Sequence, residues 1–83
     1  MSIKKLSIRQ VKAARALLDW SQDQLAAASG ISGATIGRLE AEDGDLGGRP
    51  ETGEKIRAAL EKAGIEFSNG GEPGVKLKKK KSR

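Results

Sequence analysis

The stretch from Trp20 to Glu40, WSQDQLAAASGISGATIGRLE, limits the possible folds of this chain more than any other feature. Ser21-Gln22-Asp23-Gln24 has the Ser-x-x-Gln spacing, in which a cap serine and a glutamine three residues later satisfy each other's backbone donors. A helix therefore opens at Ser21. Gly30 ends it, because glycine takes the left-handed conformation that closes a helix at no steric cost. After Ile31, Ser32 caps another helix, predicted at about Gly33 to Ala41. Leu25, Ile31, Ile36 and Leu39 must bury where the two helices cross. Ala28 is expected inward beside Leu25, with Ala26 and Ala27 allowing close approach. The outer face of the second helix carries Gly33, Ala34, Gly37 and Arg38. Two glycines weaken a helix by roughly 1 kcal/mol each. Either packing holds this helix, or its glycines serve close approach to something.

The flanking sequence supplies the rest of a small core. Ile8, Val11, Ala14 (or Arg15) and Leu18 have the spacing of one helical face, and Ser7 can cap its start. Trp20 follows as an apolar anchor. Residues 42–50 read as a loop from their Gly and Pro content. A fourth helix is predicted over about Glu51 to Ala63, with Ile56, Ala59, Leu60 and Ala63 inward and Gly64 as its stop signal. Ile65-Glu66-Phe67-Ser68 and Val75-Lys76-Leu77-Lys78 alternate apolar and polar around the turn cluster at 69–74. That pattern predicts a hairpin, against the plainer reading of a disordered basic tail. An isolated hairpin is marginal in water and needs a partner surface. Ile65, Phe67, Val75 and Leu77 either add a strand to the same segment of a second chain or cap their own fourth helix. The division expected is a helical domain over 1–64, a β-segment over 65–78 and a basic disordered tail over 79–83.

Charge is unevenly spread among these parts. Residues 1–38 carry six basic and two acidic side chains, residues 39–75 four basic and nine acidic, and residues 76–83 six basic and none acidic. A basic front, an acidic back and a basic tail fit a polyanion facing one side, or equally a solubilising tail on an ordinary domain. The chain has no Cys and no His. Disulfides, thiol nucleophiles, His-based acid–base chemistry and Cys or His metal sites are thereby excluded. The Gly47-Gly48 pair lacks the pattern of a nucleotide loop, and Asp43, Asp45 and Glu51 lack the spacing of an EF-hand. No enzyme activity, cofactor or metal is expected. No apolar run approaches the roughly 20 residues that span a bilayer, and Met1 to Arg9 lacks the apolar core of a secretory signal.

A short capped helix, a glycine turn and a second capped helix make a helix-turn-helix, which leaves one face of the second helix free for a DNA major groove. Val11, Arg15, Trp20-Ser21-Gln22, Leu25-Ala26, Gly30-Ile31-Ser32, Thr35-Ile36, Leu39-Glu40, Ile56 and Leu60 stand at the spacing of a known family. Over about residues 8–63 the chain resembles the Xre/Cro-type helix-turn-helix domain of phage repressors and many small bacterial regulators. The C-terminal I-x-F…V-x-L segment is similar to one short subgroup of such proteins.

The resemblance implies a mainly α domain of four to five helices, here with a short β-hairpin or strand, binding double-stranded DNA in the cytoplasm at the nucleoid. It implies that Gln22 meets a phosphate and that Ser32, Gly33, Ala34 and Thr35, with Gly37 and Arg38 one turn on, face the bases. Arg38 is the candidate for a bidentate contact to guanine or for a phosphate contact. Arg49 is placed beside the next phosphate. Gly33 and Ala34 depart from the longer polar residues frequent in the family. Neither can hydrogen-bond a base, although Ala34 can pack on a thymine methyl. Small residues also let a helix sit deep, which shifts discrimination toward DNA shape. Arg15 and Glu40 resemble the family's structural ion pair between the first helix and the end of the recognition helix. One such corner spans only a few base pairs, so a homodimer is expected. The competing expectation is a protein–protein module of the same fold, an antitoxin or adaptor bound to a protein partner.

Overall fold

The computed structural model describes residues 6–42, 44, 46–47, 50–68 and 74–78. Four helices and a two-stranded antiparallel sheet follow in order: α1 Ile8–Leu18, α2 Gln22–Ser29, α3 Gly33–Glu40, α4 Pro50–Lys62, β1 Ile65–Ser68 and β2 Gly74–Leu77. The fold is mainly helical, with the predicted hairpin at its C-terminal end.

Local chemistry sets the helix boundaries. The Ser7 hydroxyl accepts the Gln10 N–H at 3.1 Å, and the Gln10 side-chain carbonyl accepts the Ser7 N–H at 3.0 Å. Ser21 and Gln24 repeat the arrangement at the start of α2, at 3.1 and 2.8 Å. Ser32 Oγ accepts the Thr35 N–H at the start of α3. Each reciprocal box satisfies two donors that the first helical turn would otherwise leave open. Gly30 closes α2 at φ 78°. Asp19 closes α1 at φ 59°, a left-handed position held by a residue other than glycine. Pro50 opens α4, where its missing N–H costs no helical hydrogen bond.

The core comprises Leu6, Ile8, Val11, Ala14, Leu25, Ile36, Leu39, Leu46, Ile56, Ala59, Leu60 and Ile65, with Leu18, Trp20, Ala26, Ile31, Phe67 and Val75 partly buried against it. Ala28, expected inward, is exposed. The inward stripe of α2 runs through buried Leu25 and half-buried Gln22, Ala26 and Ser29, at helical spacings of three and four, so Ala28 falls on its flank. Ala63 lies just beyond α4 and is half-buried. Leu6 and Leu46 were not anticipated in the core. The Leu46 N–H donates to the Leu6 carbonyl and the Ile8 N–H to the Gly44 carbonyl, both at 2.8 Å. This short ladder draws the glycine-rich loop against the segment before α1 and carries Leu46 inside.

The hairpin packs on α1 through β2 and on α4 through β1. Its register pairs Ile65 with Leu77, Glu66 with Lys76, Phe67 with Val75 and Ser68 with Gly74. Glu66 and Lys76 form a surface ion pair at 3.6 Å. The Gln10 side chain ties this element to α1. Its amide nitrogen donates to the Gly74 carbonyl at 3.1 Å and to the Ser68 carbonyl at 3.4 Å, bridging a paired position of both strands.

Candidate nucleic-acid interface

Helix α3 presents three kinds of surface. Ile36, Leu39 and Glu40 are buried. Ala34, Arg38 and Ala41 are exposed at spacings of four and three, so they form one outward stripe. Gly33 and Gly37, between these two surfaces, are half-buried under the first residues of α2. A methyl group built on Gly33 would come 3.1 Å from Asp23 Oδ1, and one built on Gly37 would come 3.3 Å from Gln22 Oε1. The close approach expected of these glycines therefore includes α2 as a neighbour. The sequence pattern had assigned both to the outer face.

Among the remaining candidates, Ser32 is exposed and Thr35 half-buried. The Ser32 hydroxyl donates to Thr35 Oγ1 at 3.0 Å while it caps the helix. Arg38 has no ion-pair partner among the described residues, which leaves its five donors open to solvent. Arg49 lies outside the described residues, as do Lys4, Lys5, Asp43, Asp45, the turn at 69–73 and the tail at 79–83.

Arg15 and Glu40 face each other across the α1–α3 contact. Arg15 Nε donates to Glu40 Oε2 at 2.8 Å and Nη2 donates to Oε1 at 2.6 Å. Arg15 Nη1 donates to the Trp20 carbonyl at 2.8 Å, so the same guanidinium fixes the chain between α1 and α2. The side chains keep 20% and 4% of their surface exposed. The hydrogen bond to Glu40, opposed by burial and aided by the Glu40 charge, raises the Arg15 pKa above its ordinary value. Burial pulls the Glu40 carboxyl upward. The hydrogen bonds from Arg15 and Gln22, with the charges of Arg15 and Lys12, outweigh it and hold the carboxyl below its ordinary value.

Gln22 completes this cluster, a role its sequence position did not reveal. Its amide nitrogen donates to Glu40 Oε1 at 3.1 Å. A carboxylate only accepts, so the nitrogen must face Glu40 and the amide oxygen turns toward Gly37. The first residue of α2 is thereby fixed on α3. The hairpin residues hold different positions: Ile65 is fully buried, Phe67 and Val75 are half-buried, and Leu77 remains 40% exposed. Among the described residues, no group of three or more Asp or Glu side chains is placed to hold a metal ion, and no helix is long and apolar enough to cross a membrane.

Two capped helices meeting at a glycine corner, with the second helix buried on one side and open on the other, define a helix-turn-helix domain. Residues 11–47, somewhat under half of the chain, match the family model described as "Helix-turn-helix". No curated protein gives a significant match.

Proposed function

We propose that the domain binds a specific duplex DNA sequence as a transcriptional regulator, with α3 in the major groove. One observation carries this reading: the exposed Ala34–Arg38 stripe lies beside a Gln22 amide already fixed at the start of α2. Arg38 donates to guanine O6 and N7 or to a phosphate, and Ala34 packs on a thymine methyl. Gln22 donates to a phosphate, while Ser32, Thr35 and Arg49 serve the adjacent backbone. The short Ala34 side chain on the exposed stripe lets the helix sit close to the groove, which suits reading by shape.

Two copies related by a two-fold axis would read half-sites about 34 Å apart. Ile65, Phe67 and Val75 pack within the chain's own core, so the hairpin offers a second copy Leu77 and the edges of its strands. The adaptor reading requires a partner over the outer face of α3. Ala34 and Arg38 are open there, and the hairpin packs on α1 and α4, which favours DNA.

Selection of bound sites from random duplex DNA tests the proposal. The expected result is one enriched motif with two inverted half-sites. Arg38→Ala should lose about 10- to 100-fold in affinity for that motif and relax the preference at one base pair. Absence of enrichment by the wild-type protein would overturn the DNA reading. Enrichment of a single asymmetric site would retire only the dimer.

A further inference from the structure

The amide of Gln22 is oriented from two sides. Glu40 Oε1 accepts from its nitrogen at 3.1 Å, and its oxygen lies 3.3 Å from the place a methyl would occupy on Gly37. Free glutamine offers both a donor and an acceptor, the pair that matches adenine in the major groove. Here the acceptor turns toward α3 and one amide proton is committed to Glu40. The remaining amide proton is the group left for a ligand, and it can only donate.

We infer that Gly37 is a positioning residue for DNA binding: its missing side chain seats the Gln22 amide so that this glutamine acts as a donor to a phosphate oxygen. The inference rests on the DNA-binding reading and deepens it. A separation of 3.3 Å is tighter than nine in ten real contacts of a Cβ atom, so a methyl at Gly37 pushes the Gln22 oxygen away by a few tenths of an ångström. With the nitrogen held on Glu40, that push rotates the amide plane and swings the outward N–H. The fold has no such objection to the change. Gly37 is a mid-helix residue outside the left-handed region, where alanine favours the helix.

The test compares wild type, Gly37→Ala, Gln22→Ala and the double variant, each as the full chain, on the selected duplex over a range of salt concentrations. Gly37→Ala should melt at or above the wild-type temperature and bind about five- to tenfold more weakly, part of the worth of one hydrogen bond to a charged group. Its log–log salt slope should stay at the wild-type value, because a neutral amide releases no counterion when it meets a phosphate. The double variant should bind no more weakly than Gln22→Ala alone. In the free protein, the Gln22 side-chain amide resonances should move on Gly37→Ala. Wild-type affinity in Gly37→Ala beside a weakened Gln22→Ala overturns the inference and leaves the DNA reading intact. Additive losses in the double variant also overturn it, because they mean that Gly37 meets DNA itself. Wild-type protein that binds no duplex retires both.

Discussion

The Arg15–Glu40 pair should respond asymmetrically to the loss of either partner. Arg15→Ala leaves a carboxylate that is 4% exposed, with only the Gln22 amide still donating to it. Glu40→Ala leaves a guanidinium that is 20% exposed and still bonded to the Trp20 carbonyl. Breaking a buried pair costs 3–5 kcal/mol because a charge is stranded, and the cost falls where water reaches that charge. The expectation is about 3–4 kcal/mol for Arg15→Ala and about 2–3 kcal/mol for Glu40→Ala. The double variant strands nothing and should lose about 4 kcal/mol, a coupling of roughly 2 kcal/mol. Urea unfolding followed by circular dichroism measures all three. Losses of this size are a large fraction of the roughly 4–12 kcal/mol expected for 83 residues. The pH dependence supplies a second check. Glu40 has a lowered folded pKa, so its contribution is complete above the ordinary carboxylate value and disappears as pH falls through the folded one. Without Arg15, burial is left to raise the Glu40 pKa, so the gap between wild type and Arg15→Ala should be widest near neutral pH and narrow as the pH falls into acid. A double variant that loses the full sum of about 6 kcal/mol, or a gap unchanged into acid, would refute the reasoning.

Two further variants probe the C-terminal third of the chain. Deleting residues 79–83 removes Lys79, Lys80, Lys81 and Arg83, and should weaken binding to selected and random duplexes alike. The log–log salt slope should drop by up to about 3.6, at about 0.9 per lost phosphate contact; a loss confined to the selected site would count against a non-specific role. Gln10→Leu removes the bridge from α1 to the Ser68 and Gly74 carbonyls together with half of the Ser7 capping box. It should cost about 2–3 kcal/mol and speed amide hydrogen exchange in β1 and β2, whereas unchanged exchange would show that the hairpin is held without it.

The legible parts of this fold are those written in local chemistry. Ser21 with Gln24, Gly30 and Ser32 specify where helices begin and end within four residues, and the alternation of Ile65–Ser68 against Val75–Leu77 specifies a hairpin in the same local way. Ala28 and the glycines of α3 were harder to place because their surroundings depend on the crossing of two helices. Gly33 and Gly37 occupy the outer side of α3 in a helical projection, yet the first turn of α2 leans over them. Leu46 was hidden by the flexible composition around it. One leucine in a run of glycines and aspartates is a faint signal, and only the backbone ladder to Leu6 explains its burial. Gln10 was obscured by its own capping role, since the Ser7–Gln10 spacing accounts for it without any reference to a strand nearly sixty residues away.

Helix α1 connects the parts that local reading treated separately. Gln10 reaches the hairpin from its first turn, and Arg15 reaches the end of α3 from its last. Five residues separate them, which turns the two side chains roughly 140° apart around the helix. The helix is thus held from two sides by polar contacts that hydrophobic packing alone would leave free to slide. The two attachments should have separable consequences. Loss of the Gln10 bridge loosens an element that packs on α1 and α4, leaving the α2–α3 corner with its own caps and its own Gln22–Glu40 contact. Loss of Glu40 frees Arg15 and Gln22 together, so it removes a brace on α3 and the orientation of the first residue of α2 in one step. At a temperature where both variants remain folded, duplex binding should therefore fall further for Glu40→Ala than for Gln10→Leu. The reverse order would place the determinant of DNA affinity in the hairpin, contrary to the geometry of the corner.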